Sequence, residues 1–422
     1  MIKHFRNSIW SVAEGAGYPL LLLAATPIFL RNLGPADFGL WSLLTTITSV
    51  GMIVGVGTSA AIIKLVAEVG QDGELDVTPI IQGSMAIAVI AGGLLAVVTT
   101  VGISIASTLL LSKMGSPILV IATGTTAAIL LWIEQFDTVF SSLLKGAERF
   151  GLAARLEIAL KTLQILSSIV VVIAFKDIFA LYIMLVVAAI LRLATKVRVV
   201  RHNWPTLVIR PSIKSSYFVL VYSKWGWLQG GGSLFFSVAD RLIVGATLGS
   251  VSLGYYSIAT QLAAQLHGLI ANAFSIIAPR ISQQTASGRL ATRFRVDIVN
   301  LISLNFALAL IGAILFLTFG HWILLKWVGE NVSTSVSDFF PKLVLAYFLL
   351  SISIVPYYFL NGLGRMKFVA LTCISGGSIA LISALILIPS HGMSGAAISR
   401  CMYSIISFIL FLPLISKWRS RS

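Results

Sequence analysis

LGPADFGLWS, Leu33 to Ser42, lies between two long apolar runs, and LGSVSLGYYS, Leu248 to Ser257, lies between two others. At an offset of 215, Gly34 meets Gly249, Phe38 meets Leu253, Gly39 meets Gly254, Trp41 meets Tyr256 and Ser42 meets Ser257. A second echo follows at an offset of 216. Gly146 and Arg149 in KGAERF (Lys145 to Phe150) meet Gly362 and Arg365 in NGLGRM (Asn361 to Met366). Both pairs fall at equivalent places among the apolar runs. The chain therefore reads as two related halves, 1–205 and 206–422, joined through HNWPTLVIRPS (His202 to Ser212).

The runs around these turns set the fold class. Of 422 residues, 57% are hydrophobic and only 11% charged, against about 25% charged in soluble domains. A soluble multidomain enzyme cannot hide that much apolar side chain. A bilayer core about 30 Å thick takes about 20 helical residues to cross, and every backbone polar group inside it must be bonded internally. The apolar runs are continuous rather than alternating, which selects helices over a barrel. The first six expected spans are 8–30, 38–66, 79–107, 117–143, 152–175 and 178–200. The second six are 217–246, 253–281, 296–327, 339–361, 367–388 and 393–416. The expectation is an all-α polytopic membrane protein of about twelve transmembrane helices in two six-helix lobes. An even number of crossings gives both lobes the same orientation, a parallel repeat of a kind found in transporters.

Charge sets the expected orientation. The net charge of +15 is carried in alternate connections: Lys3 and Arg6; Lys145, Arg149 and Arg155; Arg192 through Lys214; Arg280 through Arg295; Arg365 and Lys367; and Lys417 through Arg421. That alternation is the positive-inside pattern, which places both termini in the cytoplasm and argues against a nucleic-acid partner. The first span follows Lys3 and Arg6 but is longer than a signal-peptide core, so it reads as a retained helix. Cys373 and Cys401 suggest neither a disulfide framework nor a metal site, and no cofactor motif, phosphate loop or nucleophile–base arrangement is visible. The connections are short, which leaves no room for a soluble catalytic domain.

Several segments together carry a family resemblance: LGPADFGLWSLLTT, ADRLIVGATLGSVSLGYYSIA (Ala239 to Ala259), GAERF, GLGRMKF, and GMSGAAIS (Gly392 to Ser399) opening the last helix. In this order they resemble the polysaccharide transport branch of the multidrug/oligosaccharidyl-lipid/polysaccharide exporter superfamily, the Wzx-like O-antigen flippases. The resemblance covers nearly the whole chain. It implies a MATE-like fold in a bacterial inner membrane. It also implies a non-enzymatic flippase that moves an undecaprenyl-pyrophosphate-linked oligosaccharide from the cytoplasmic to the outer leaflet. The partners expected are that lipid-linked substrate, membrane lipids and the polysaccharide polymerase machinery. A drug–cation antiporter of the same superfamily and a membrane-embedded glycosyltransferase or polymerase are the alternatives.

Charges inside a span are costly and are candidates for function. KWGWLQGGGSLFFSVADR, Lys224 to Arg241, is the densest such stretch. Lys224 is a candidate cation for the pyrophosphate, with Trp225 and Trp227 near sugar or lipid, or else in an interfacial aromatic belt. Gly230, Gly231 and Gly232 in a row suggest a hinge in helix seven, or close packing. Asp240 and Arg241 suggest a gate or a structural pair, and the resemblance makes that pair a recurrent family feature. Glu14 and Tyr18 share a face of helix one, the counterpart of helix seven, so both are expected beside Lys224 at a central cavity. Glu134 and Asp137 share a face of helix four; two such carboxylates disfavour each other's charge, which suggests a cation or proton site. Arg400 in helix twelve is a cavity cation or is paired across its lobe. Glu157 with Lys161 reads as an i,i+4 pair, and Arg192 with Lys196 as cations reaching the inner headgroups.

Overall fold

The computed structural model describes residues 2–49, 51–69, 77–109, 117–234, 238, 240–275, 277–278, 281 and 294–414. Among them there are helices and turns and no strands. In chain order the helices are α1 (Ile2–Ser49), α2 (Gly51–Val69), α3 (Thr78–Ile87), α4 (Gly93–Leu109), α5 (Pro117–Gly146), α6 (Phe150–Phe175), α7 (Ile178–Asn203) and α8 (Ile213–Leu234). They continue as α9 (Asp240–Phe274), α10 (Phe294–Val328), α11 (Glu330–Val336), α12 (Phe340–Ile352), α13 (Ile354–Gly362) and α14 (Met366–Ile406).

Nine stretches among the described residues are long and apolar enough to cross a membrane. Several hold parts of two expected spans, because α1, α9 and α14 each break at one glycine: Gly34, Gly249 and Gly392. The expected count of about twelve is recovered when the helices are divided at these breaks.

The breaks establish the repeat in backbone terms. Gly34 has φ 77 and ψ 167; Gly249 has φ 85 and ψ 176. Side chains other than glycine's are all but excluded from that region. The second echo is equally literal. The Arg149 N–H donates to Leu144 O at 2.9 Å, and the Arg365 N–H to Leu360 O at 2.9 Å. The preceding residues, Glu148 and Gly364, both have positive φ, 57 and 74. At the same offset of 216, Lys176 and Gly392 both have positive φ, 51 and 58, but their ψ of 34 and −139 differ, so the backbone does not repeat there. Gly249→Ala should therefore cost about 1–3 kcal/mol of stability. Gly102→Ala, in a regular helix with nothing within 4 Å of the added Cβ, should be neutral or stabilising. Thermal unfolding of the two purified variants checks both signs, and equal melting temperatures would contradict the assignment of Gly249.

The chain divides into two compact units. Met1–Gly230 with Gly249–Val251 form the first; Gly231–Leu248 with Ser252–Ser422 form the second. In the first, the dominant pairings are α1 on α6, α5 on α7, and α2 and α4 on α5. A π-helical turn, Ala88–Gly92, joins α3 to α4, and the Ala88 carbonyl accepts a hydrogen bond from Trp132 Nε1 at 3.1 Å. Trp132 thus occupies an acceptor in the irregular turn, as such bulges require. The connector after α7 is tied down: the Ser212 N–H donates to Gln82 O at 3.0 Å, and Gly83 lets the Ser215 backbone approach closely. α8 then packs into the first unit through Val219, in its hydrophobic core, and Trp227. In the second unit, α12 and α10 pack together and α12 lies on α14.

Candidate functional site

Three neighbouring helices of the first unit write complementary stripes. α5 presents Glu134, Asp137 and Ser141; α6 presents Glu157, Lys161 and Gln164; α7 presents Arg192 and Lys196. Spacings of three and four residues put each set on one helix face. α7 is positioned from its start by Asp177, whose Oδ2 accepts the Ala180 N–H at 2.9 Å, the usual N-cap arrangement.

The stripes close into one network. Lys196 Nζ donates to Asp137 Oδ2 at 2.7 Å, Ser141 Oγ at 2.7 Å and Glu157 Oε2 at 2.5 Å. Lys161 Nζ lies 2.9 Å from Glu157 Oε1. Arg192 places Nη2 3.3 Å from Glu134 Oε1 and Nε 3.3 Å from Asp137 Oδ2, while its Nη1 donates to Gln164 Oε1 at 3.0 Å. Three carboxylates thus meet three cations. The network borders a cavity of about 360 Å³ whose wall includes Tyr18, Trp41, Thr45, Glu134, Lys161, Tyr182 and Arg192. Tyr182 Oη lies 3.3 Å from Thr45 Oγ1, and the Lys161 ammonium stands 4.9 Å from the Tyr18 ring.

The placement corrects one reading. Arg192 and Lys196 do not reach headgroups: they are 3% and 1% exposed. Lys196 sits seven residues, about 10 Å of helix, before Asn203. Carboxylates on the two neighbouring helices offer these cations more than the lipid interface does. Glu134 and Asp137 are indeed on one face, but Arg192 bridges both, so their mutual repulsion is already countered by a fixed cation. The Glu157–Lys161 pair forms as spaced. What sequence reasoning missed is that Arg192 and Lys196 complete the set; their own i,i+4 spacing on a helix between two acidic stripes was the available signal.

Other predicted residues fall elsewhere. Trp227 is committed to packing: its Nε1 donates to Val54 O at 3.0 Å, and its ring lies where Gly57 would carry a Cβ. That takes its polar handle away from any sugar or lipid. Tyr18 lies on the wall of the first unit's own cavity. The side chains of Glu14, Lys224 and Trp225 lie outside the described residues. Gly230, Gly231 and Gly232 continue α8 as helix, and the boundary between the two units falls between the first two of them.

In the second unit Asp240, Tyr256, Tyr347 and Arg400 form a separate buried cluster. Arg400 Nε donates to Asp240 Oδ2 at 2.5 Å, its Nη2 to Asp240 Oδ1 at 3.2 Å, and its Nη1 to Tyr347 Oη at 2.6 Å. Tyr256 Oη donates to Asp240 Oδ2 at 2.5 Å. Arg400 is 3% exposed. It is therefore the paired arginine of the two alternatives, not an open cavity cation, and its salt-bridge partner is Asp240. Arg241 meets the same carboxylate through its backbone N–H, 2.8 Å from Asp240 Oδ1.

Comparison with known proteins places this geometry. A Shigella flexneri protein whose name assigns it to O-antigen transport is 23% identical over 424 residues, covering 98% of this chain and 97% of its own. A multidrug resistance MATE family transporter of the MOP superfamily, solved inward-facing, matches with a TM-score of 0.71 at 16% identity, over 98% of this chain and 99% of that one. The lipid II flippase MurJ in an inward closed conformation also gives a TM-score of 0.71, at 14% identity, over 98% of this chain and 87% of its own. At such identities the two structures fix the fold. The model of one family, described as polysaccharide biosynthesis protein, matches residues 5–285, more than half of the chain. The chain belongs to that polysaccharide biosynthesis protein family and has the all-helical membrane fold of the MOP superfamily.

Proposed function

We propose that the chain is a flippase that carries an undecaprenyl-pyrophosphate-linked oligosaccharide from the cytoplasmic to the periplasmic leaflet of a bacterial inner membrane. Its termini are cytoplasmic, by the distribution of Lys and Arg. The observation that carries this reading is the charge balance of the first unit's cavity. A carrier of cationic drugs needs open carboxylates. Here Glu134, Asp137 and Glu157 are each countered by a lysine or arginine, and a lysine stands on the wall. Family membership and the O-antigen transporter relative support the same class.

The two lobes open the path to each side in turn, with the run Gly230 to Gly232 as the hinge of α8. In this reading Lys224 is the cation for the pyrophosphate and Glu14 a coupling carboxylate. Glu134 and Asp137 take part in coupling. Asp137 Oδ1, buried without a hydrogen-bond partner, is the acceptor a coupling proton or ion meets. The polyprenyl tail stays in lipid throughout, because moving it through a polar path forfeits about 0.8 kcal/mol per buried CH₂. No bond is made or broken.

Purified protein reconstituted in liposomes with a fluorescent lipid-linked oligosaccharide tests the reading. The expected result is protein-dependent appearance of the sugar on the opposite leaflet, measured by glycosidase accessibility. Transport of cationic drugs with no movement of lipid-linked sugar would overturn it in favour of the antiporter.

A further inference from the structure

One cation of the first unit's network can leave its partner without stranding a buried charge. We propose that this cation, Lys161, is the ligand for an anionic group of the substrate in the 360 Å³ cavity. The proposal rests on the flippase reading and adds to it a residue and a chemistry.

Glu157 is held from both sides, by Lys161 at 2.9 Å and by Lys196 at 2.5 Å. When Lys161 turns away, Glu157 keeps Lys196, which also remains fixed by Asp137 and Ser141. No carboxylate is then left buried without a cation, the condition that makes breaking such pairs expensive. The other two cations lack this freedom. The Lys196 side chain is 1% exposed and that of Arg192 4%, whereas that of Lys161 is 31% exposed. Arg192 also donates to Gln164 and Glu134 and pairs with Asp137, so that it is held from two helices. Chemistry favours lysine for the exchange: a compact charge with three donors on a flexible stem can change partners where a planar fork cannot.

The surroundings suit an anion with hydroxyl neighbours. Tyr18, Thr45 and Tyr182 line the same space as Lys161, with the Thr45 and Tyr182 hydroxyls 3.3 Å apart. A cavity of 360 Å³ is at the lower end of ligand pockets, about 300–1,000 Å³, so it takes a headgroup fragment and not a whole lipid-linked unit. An anion there gains a charge-assisted hydrogen bond from Lys161, stronger than in bulk water. Such a substrate offers the anion from two sources, the diphosphate of the carrier or the carboxylate of an acidic sugar. Lys161 recognises either as an oxyanion.

Calorimetric titration of the full-length protein in detergent separates the sources. The probes are inorganic pyrophosphate and sodium glucuronate; the variants are Lys161→Met and Glu157→Gln. Lys161→Met should weaken binding of one probe about tenfold, the weight of one charge-assisted hydrogen bond. Glu157→Gln removes the competing carboxylate and should tighten the same probe about threefold. A purely structural role predicts the opposite, with both variants weakening binding together. Lys161-dependent binding of pyrophosphate assigns the carrier diphosphate; of glucuronate, an acidic sugar. No binding of either probe, binding unaffected by Lys161→Met, or weakening by Glu157→Gln overturns the proposal. The same preparations are assayed for translocation. Flipping without Lys161-dependent binding sinks the site and leaves the flippase. Lys161-dependent binding without flipping of any lipid-linked donor supports the site and sinks the flippase reading.

Discussion

Arg400→Met is expected to lower the unfolding free energy by about 3–5 kcal/mol, because it removes one partner of a buried ion pair. The side chains of Arg400 and Asp240 are 3% and 6% exposed. Without the guanidinium, Asp240 keeps the Tyr256 hydroxyl and the Arg241 N–H but has lost two charge-assisted donors, and Tyr347 has lost the donor to its oxygen. Arg400→Lys should recover little, since one ammonium cannot reproduce a fork that meets both carboxylate oxygens and Tyr347. Asp240→Asn combined with Arg400→Met removes both charges and should recover most of the loss. Thermal unfolding in detergent across this double-mutant cycle measures the coupling. Additive losses would mean that the pair does not hold the second unit together. Translocation by the neutral double variant decides its role: restored flipping marks the pair as scaffold, and stable but inactive protein marks it as the gate.

The part of this fold legible in the sequence was whatever backbone geometry imposes on residue type. Gly34 and Gly249 could be matched because only glycine holds that φ and ψ, so the repeat survived where side chains diverged. Gly146 and Gly362 could be matched because both lie where a Cβ would strike a neighbour, Val66 in one half and Ile281 in the other. Those two neighbours are themselves 215 residues apart. Lys176 and Gly392 share the offset but not the backbone: the lysine is left-handed helical at ψ 34, and the glycine lies at ψ −139. The span ends were legible from hydropathy. The breaks that divide α9 and α14 are single-residue kinks, where Gly249 and Gly392 leave helical φ and ψ.

The site was less legible, for a different reason. Charge pairing depends on which helices lie together, and periodicity within one helix is silent about that. Glu134 with Asp137 and Glu157 with Lys161 were found because each pair lies on a single helix. Arg192 and Lys196 read as headgroup cations from sequence because their partners lie on two other helices. Arg400 and Asp240 are 160 residues apart.

The repeat shows where the chain has departed from its own symmetry. At the offset of 216, Glu134, Asp137, Glu157, Lys161, Arg192 and Lys196 correspond to Leu350, Ser353, Cys373, Gly377, Phe408 and Leu412. Six charges in one half meet none in the other. In return, Asp240, Tyr256, Tyr347 and Arg400 correspond, at offsets of 215 or 216, to Ala25, Trp41, Leu131 and Met184. A fold that needed either cluster for its architecture alone would carry it twice. Buried ion pairs gain little over well-packed apolar side chains, so a network kept in one half is better explained by a task of that half than by stability.

Lys196→Met tests how that network is held. Lys196 is the one cation that joins Glu157 of α6 to Asp137 of α5, and it is buried. Its removal leaves three carboxylates against two cations and should cost about 3–5 kcal/mol. Lys161→Met removes an equal charge from a side chain that is 31% exposed and should cost no more than about 1 kcal/mol. Adding Glu157→Gln to Lys196→Met restores two against two and should return at least half of the loss. The three melting temperatures, with yield of folded protein from membranes, give the comparison. Equal losses for the two lysines, or no recovery in the double variant, would show that the cations are interchangeable. In that case Lys161 would be no freer to leave Glu157 than Lys196 is. The expected inequality instead makes Lys196 the fixed post of the network and Lys161 its movable arm.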